Sequence, residues 1–243
     1  MNADLQKTVV LMPAYNEEAN IAGVIESIRD AVPDVDILVI DDCSTDATTT
    51  EAERCGAAVL RLCANLGYGG ALQAGFLYSQ KRGYDITVQI DADGQHDPKC
   101  IPQLVAPIAR GEADIVIGSR FLGERCYKIP ALRRTAMVFF ARLASAIAGQ
   151  KVTDPTSGFQ ALSKCVVSFL ATDNYPGDYP DADVIISLKR ARFQLKEVPV
   201  VMFQRESGES MHSALSAPYY IAKMVLSIVA VLLRKSPQVD CRR

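Results

Sequence analysis

Two carboxylates, Asp91 and Asp93, stand two residues apart in Gln89-Ile-Asp-Ala-Asp-Gly-Gln-His-Asp97, just beyond an apolar run. Acids so placed can converge on one hard divalent cation, which typically keeps several waters and binds substrate phosphates alongside one or two carboxylates. Asp-Gly is also a common turn former, so this segment alone leaves a solvated turn open. A second acidic cluster, Val39-Ile-Asp-Asp-Cys-Ser-Thr-Asp46, closes another apolar run. An acid at a strand end accepts hydrogen bonds from a ribose or a base N–H, which makes Asp41 and Asp42 candidates for nucleotide binding. Helix capping explains Ser44 or Asp46 but not that acidic pair. Together the two clusters favour a metal-containing site over a pair of turns.

Other chemistries lack their residues. Asn65-Leu-Gly-Tyr-Gly-Gly-Ala-Leu72 fits neither GxGxxG nor GxxxxGK[ST], so a Rossmann cofactor loop and a P-loop are both rejected. Its glycines permit close backbone approach to a ligand, or simply a tight turn into a helix. The two histidines, His96 and His212, form no HExxH or zinc spacing, and no G-x-S-x-G elbow occurs. His96 reads as a supporting hydrogen-bonding residue rather than a ligand.

Charge narrows the partners. With 26 Lys+Arg against 28 Asp+Glu the chain has a net charge of −2, which excludes a general nucleic-acid binder. The balance is uneven: residues 1–120 hold 9 basic and 18 acidic groups, and the remainder 17 and 10. An acidic half followed by a basic half suits a cation and a phosphate or membrane surface. Seven cysteines without a CxxC pair suggest reduced thiols in the cytoplasm. The polar start, Met1 to Lys7, reads as no signal peptide, and no apolar run reaches the ~18–20 residues of a membrane span.

The elements that must position these residues alternate. Thr8–Met12, Ile37–Ile40, Ala57–Arg61, Ile86–Ile90 and Ile115–Ile117 read as strands, separated by helices over Glu17–Ala31, Ala47–Cys55, Gly69–Arg82 and Ile101–Arg110. Such alternation means βαβ units and a Rossmann-like α/β fold with a mostly parallel sheet flanked by helices. Ligands bind at the carboxyl ends of such strands, which brings Pro13–Glu17, Asp41–Asp46, Asp91–Asp97 and Gly118–Phe121 together. The second half is less regular, with helices over Ala131–Ala148 and Ala182–Arg192, a loop at Thr153–Phe159 and a strand at Val198–Phe203. Residues 1–213 read as one domain, and 214–243 as a hydrophobic helix and tail.

The motifs carry a resemblance. Pro13-Ala-Tyr-Asn-Glu-Glu18, the Asp41 and Asn65 segments, and Asp91-Ala-Asp-Gly-Gln-His96 occur in order. Gly118-Ser-Arg-Phe121, Asp154-Pro-Thr-Ser-Gly-Phe159, Glu197-Val-Pro-Val200 and Arg205-Glu-Ser-Gly-Glu-Ser210 follow them. This chain resembles a family 2 glycosyltransferase of GT-A fold, closest to the polyprenyl- or dolichyl-phosphate sugar synthases. The resemblance implies that Pro13, Tyr15, Glu17 and Asp42 hold the nucleoside, with Asp91 also at the nucleotide. It implies that Asp91, Asp93 and Gln95 hold Mg²⁺ or Mn²⁺, and that Arg205 clamps the donor diphosphate. Arg120, Arg133 and Arg134 would receive the acceptor phosphate.

The expected reaction is inverting transfer of a sugar from a nucleotide-diphosphate sugar to polyprenyl phosphate or another lipid-linked acceptor. Asp93 and Arg205 would act on charge building at the leaving diphosphate. The alternative is extension of a glycan or lipid-linked oligosaccharide at a sugar hydroxyl, which needs a base, with Asp154 and Asp183 as candidates. A cytoplasmic location is expected, on the inner membrane face if the tail engages it. The tail, Ala214–Lys235, is apolar on nearly every face, and the sequence leaves a membrane surface, a second copy and its own domain open as its cover.

Overall fold

The computed structural model describes residues 7–122, 141–143, 145–147, 149–172, 175, 181–203 and 217–234. Strands β1 (Thr8–Ala14), β2 (Asp36–Asp41), β3 (Ala58–Arg61), β4 (Ile86–Gln89), β5 (Ile115–Ser119), β6 (Gln160–Ser163) and β7 (Leu195–Pro199) form one sheet in the order β3-β2-β1-β4-β6-β5-β7. β1 is buried at every position and β2 at all but its first, as strands covered on both faces must be. From β1 the chain steps outward to β2 and β3, then returns to β1's other side as β4. That reversal leaves a crevice between the carboxyl ends of β1 and β4.

Helices cover both faces. On one, α1 (Ile21–Ala31) and α4 (Ile101–Ala109) place Ile25, Ile28, Leu104 and Val105 against Val10, Met12 and Val88. The other face alternates in register. Leu11, Ile40 and Leu162 meet Leu72 and Phe76 of α3 (Gly67–Arg82), Val166 of α5 (Lys164–Leu170), and Ile185 of α6 (Ala182–Arg190). A short α2 (Thr48–Arg54) links β2 to β3. The predicted apolar face of α1, Ile21, Val24, Ile25 and Ile28, is buried as expected. The helix starts at Ile21 rather than Glu17, because Glu17 and Glu18 donate their N–H groups to Thr48 Oγ1 and Asp46 Oδ2 at the entry to α2.

The mostly parallel sheet is observed, with one exception the sequence did not indicate. β6 runs antiparallel to both neighbours, β4 and β5. Four residues, Gln-Ala-Leu-Ser, show too little apolar pattern to mark a strand, and α5 follows at once with Ser163 accepting from Val166 N. The expected strand Val198–Phe203 is also displaced. The ladder pairs Leu195–Pro199 with Ile115–Ser119, after which the chain crosses to the Asp91 loop and Met202 forms a single bridge with His96. Among the described residues, the expectation of reduced thiols fails at Cys165. Cys43, Cys55, Cys63 and Cys100 are free, but Cys165 is disulfide-bonded, since spacing along a chain does not say which thiols meet in space.

At the end of the described chain, α7 (Ala217–Leu233) lays Met224, Ile228 and Val231 on Ala182 and Ile186 of α6, beside Leu143 and Ile147. Ser227 of α7 donates to the Asp183 carboxylate, and the Arg190 guanidinium donates to the carbonyls of Leu232 (2.8 Å) and Arg234 (2.7 Å). Those carbonyls lie at the helix end, where partner groups are otherwise missing.

Candidate active site

The crevice at the strand reversal opens into a pocket of about 600 Å³. Pro13 to Glu17 at and beyond the end of β1, Asp42 after β2, Asn65, Gly67, Tyr68 and Ala71 around the start of α3, and Asp91 to Asp93 after β4 line it. The volume suits a small-molecule ligand. Its rim after β1 is fixed by reciprocal bonds to the loop after β2. Asn16, with a left-handed φ of 53°, donates its N–H to Ser44 Oγ and accepts from Thr45 N on its side-chain oxygen. Glu18 accepts from Ala47 N. Tyr15 is left half exposed at the mouth, and Glu17 lies part-buried on the wall.

The adjacent acids Asp41 and Asp42 diverge. Asp42 accepts from Leu66 N at 2.7 Å and Gly67 N at 2.8 Å, so its charge caps the start of α3 while the residue faces the pocket. Asp41 is 0% exposed and accepts from Ser44 N and Thr49 Oγ1, with Arg61 3.8 Å away. The expectation that Asp41 binds nucleotide is therefore corrected: it folds the loop that presents Asp42. Strand alternation turns the two side chains to opposite sides.

Asp91 is held from two sides. Tyr68 donates to its Oδ1 at 2.8 Å, and Gln89 Nε2 donates to the Tyr68 oxygen at 2.9 Å. His96 Nε2 lies 3.2 Å from Oδ2. Burial pushes the Asp91 carboxyl up, but donation from His96 and Tyr68 and the positive charge of Arg120 outweigh it and hold the group below the usual carboxylate value. Burial and the nearby Asp91 raise the Tyr68 hydroxyl well above its ordinary value, so it stays a donor. Gly158 closes this side: a Cβ there would stand 2.8 Å from Asp91 Oδ2 and 2.9 Å from the Tyr68 oxygen. Asp93 accepts from Gln95 N, and Gln95 exchanges bonds with the Phe203 backbone.

The loop before β6 is anchored separately. Asp154 is 0% exposed, and Arg120 donates to it from Nε at 2.6 Å, from Nη2 at 2.5 Å and from its backbone N at 3.0 Å. Arg120 also donates to Thr156 Oγ1, while Glu197 accepts from the N–H groups of Thr153 and Asp154. Two expectations are corrected here. Asp154 cannot serve as a base while buried in a bidentate ion pair, and Arg120, itself 8% exposed, is turned to Asp154 rather than to an acceptor phosphate. Asp183 is likewise 0% exposed and bonded to Ser227, Asp181 N and Val184 N. Arg133, Arg134 and Arg205 lie outside the described residues. Tyr68, Gln89, Gly158 and Glu197 were not singled out from sequence, because each acts through a partner far along the chain.

Of the three residues expected to hold a metal, Asp91 and Asp93 line the pocket and offer carboxylate oxygens, which suit Mg²⁺ or Mn²⁺, while the Gln95 amide donates to the Phe203 carbonyl. No cluster of three or more His, Cys, Asp or Glu able to hold a metal occurs among the described residues, so ligand phosphates and water would have to complete the shell.

A mostly parallel seven-stranded sheet with an acid-lined crevice at its strand reversal is an α/β ligand-binding architecture. The family model for glycosyl transferase family 2 matches residues 9–170, and the chain belongs to that family. It is 33% identical over 215 residues to the undecaprenyl-phosphate mannosyltransferase of Micrococcus luteus, covering 85% of this chain and 88% of that one. It is 32% identical to the polyprenol monophosphomannose synthase of Mycolicibacterium smegmatis, covering 86% and 82%. Among solved structures, glucosyl-3-phosphoglycerate synthase from Mycobacterium tuberculosis with Mn²⁺ and UDP-glucose aligns with a TM-score of 0.65 and 26% identity, over 94% of this chain and 78% of that one.

Proposed function

We propose that this chain moves a sugar, with inversion, from a nucleotide-diphosphate sugar to polyprenyl phosphate. The observation that carries the choice of acceptor is the burial of Asp154 in its ion pair with Arg120. A hydroxyl acceptor needs a base to take its proton, and both candidate bases, Asp154 and Asp183, are enclosed and bonded. A phosphate acceptor is already anionic near neutral pH and attacks without one. The similarity to the two polyprenol-phosphate mannosyltransferases supports the same acceptor.

Asp42 and the Pro13–Glu17 wall hold the nucleoside, and Asp91, Asp93 and Gln95 hold Mg²⁺ or Mn²⁺. A divalent cation bound there stabilises negative charge on the leaving diphosphate. Arg205 supplies a second positive group to that diphosphate, and Arg133 and Arg134 receive the acceptor phosphate, arginine's planar fork suiting phosphate oxygens.

The test is a panel of nucleotide sugars assayed with a short, water-soluble isoprenyl phosphate and either metal. One donor should give an acid-labile glycosyl phosphate, and Asp93→Ala or excess EDTA should remove at least ~100-fold of the rate. Transfer to sugar hydroxyls with none to the isoprenyl phosphate would overturn the proposal, and full activity in EDTA would remove the metal from it.

A further inference from the structure

We infer that Gln89 and Tyr68 form a relay that fixes the Asp91 carboxylate for its ligand, both serving as positioning residues. The direction of the relay follows from which groups can donate. An ionised carboxylate only accepts, so the single proton of Tyr68 goes to Asp91 Oδ1, 2.8 Å away. The Tyr68 oxygen is then left to accept, and Gln89 presents its amide N–H to it at 2.9 Å. Gln89 ends β4 between buried Val88 and Ile90 and is itself buried. An amide enclosed there costs free energy unless it is bonded, and Tyr68 supplies the partner.

The hydroxyl arrives at Asp91 because the start of α3 is pinned. Asp42 accepts from Leu66 N and Gly67 N, and Gly67 takes a left-handed φ of 76° just before Tyr68 enters the crevice. With Tyr68 on Oδ1 and His96 on Oδ2, the carboxylate cannot turn about its Cβ–Cγ bond without losing a hydrogen bond. Each oxygen keeps lone-pair capacity for a ligand in the pocket. Supporting bonds to a metal ligand commonly carry about 10–100-fold in metal affinity. The inference rests on Asp91 as a metal ligand, proposed above, and adds two side chains outside that donor set. A role in packing alone is the competing account, since the Tyr68 ring lies against the cluster containing Leu72 and Phe76. Phenylalanine keeps that ring and removes only the hydroxyl.

The experiment compares the unaltered full chain with Tyr68→Phe, Gln89→Met and the double variant. Mn²⁺ affinity is read by electron paramagnetic resonance with uridine or guanosine diphosphate present, neither of which can transfer a sugar. Tyr68→Phe should weaken Mn²⁺ binding about tenfold, and Gln89→Met, which keeps the bulk of the side chain, by a smaller factor. The double variant should be no weaker than Tyr68→Phe, because Gln89 acts through the hydroxyl. In the transfer assay at saturating donor and Mn²⁺, kcat should fall in the same ranking while the donor's KM moves less. Unaltered Mn²⁺ affinity in Tyr68→Phe, or losses that add in the double variant, would overturn the relay. So would a loss seen only where the variant has begun to melt, or an unaltered protein that binds no Mn²⁺. If the unaltered protein bound Mn²⁺ but transferred no sugar to an isoprenyl phosphate, the proposed function would fall and the affinity cycle would still judge the relay.

Discussion

His96 Nε2 stands 3.2 Å from Asp91 Oδ2, while Nδ1 of the same ring is buried with no partner. An ionised carboxylate only accepts, so the proton of a neutral His96 resides on Nε2. The ring leans on Phe159, 5.0 Å between centroids, which fixes the angle of donation. His96 is therefore a positioning residue for Asp91.

Removing that donor should raise the Asp91 carboxyl. The group is held low in the folded protein, so its ionised form is present above that value and lost as pH falls through it. In His96→Leu the acidic limb of kcat/KM should move to higher pH and Mn²⁺ affinity should fall, by about tenfold for a lost supporting bond. His96→Gln, which keeps an N–H at a similar reach, should restore part of both. An unmoved acidic limb in His96→Leu would remove the assignment.

Gly158→Ala should damage the site more than the fold. The added methyl would lie 2.8 Å from Asp91 Oδ2 and 2.9 Å from the Tyr68 oxygen, so these side chains must give way. Misplacement of a reacting group by ~1 Å can cost ~100-fold in rate. Kinetics beside a thermal melt would decide. A large loss of kcat with a nearly native melting temperature is expected, and unchanged kcat would refute it.

Asp154→Ala should act on stability. It leaves Arg120 charged and buried, a loss of about 3–5 kcal/mol, or ~10 °C in melting temperature for a domain of this size. Arg120→Leu/Asp154→Leu should recover part of that. If Asp154→Ala melted like the unaltered protein yet lost kcat, the base role would return.

Asp183 couples α7 to pH. Burial raises its carboxyl above the ordinary 3.8, against donation from Ser227 and the N–H groups of Asp181 and Val184. A raised folded value favours the protonated form, so its contribution is complete below the unfolded value and lost as pH rises through the folded one. Asp183→Asn should therefore raise the melting temperature at neutral pH, with the gap shrinking toward acid. A constant or reversed gap would contradict this.

Much of the fold was legible because the buried strands and α1 carry plain apolar runs, and the polar motifs sit where those runs end. Parallel strands then deliver Pro13–Glu17, Asp42 and Asp91–Asp93 to one crevice without further information. The sequence could not separate Asp41 from Asp42, since adjacent acids differ only in which side of the pleat they face. Nor could it pair Arg120 with Asp154, 34 residues apart, or bring Gly158 against Asp91. Those contacts depend on β6, whose four residues carry no pattern of their own.

The antiparallel β6 also sets an order of assembly. It lies between β4 and β5 in space but follows both along the chain. A nascent polypeptide that has already emerged through β5 must carry β4 as an open edge, a ready template for another strand. Only when Gln160–Ser163 leaves the ribosome can the gap be bridged, and β5 and β7 join the first half of the sheet through it. The same insertion brings Gly158 to Asp91, so the acidic loop receives its last wall late in synthesis. The vulnerable interval for misassociation is thus the time taken to translate roughly the seventy residues between β4 and β6.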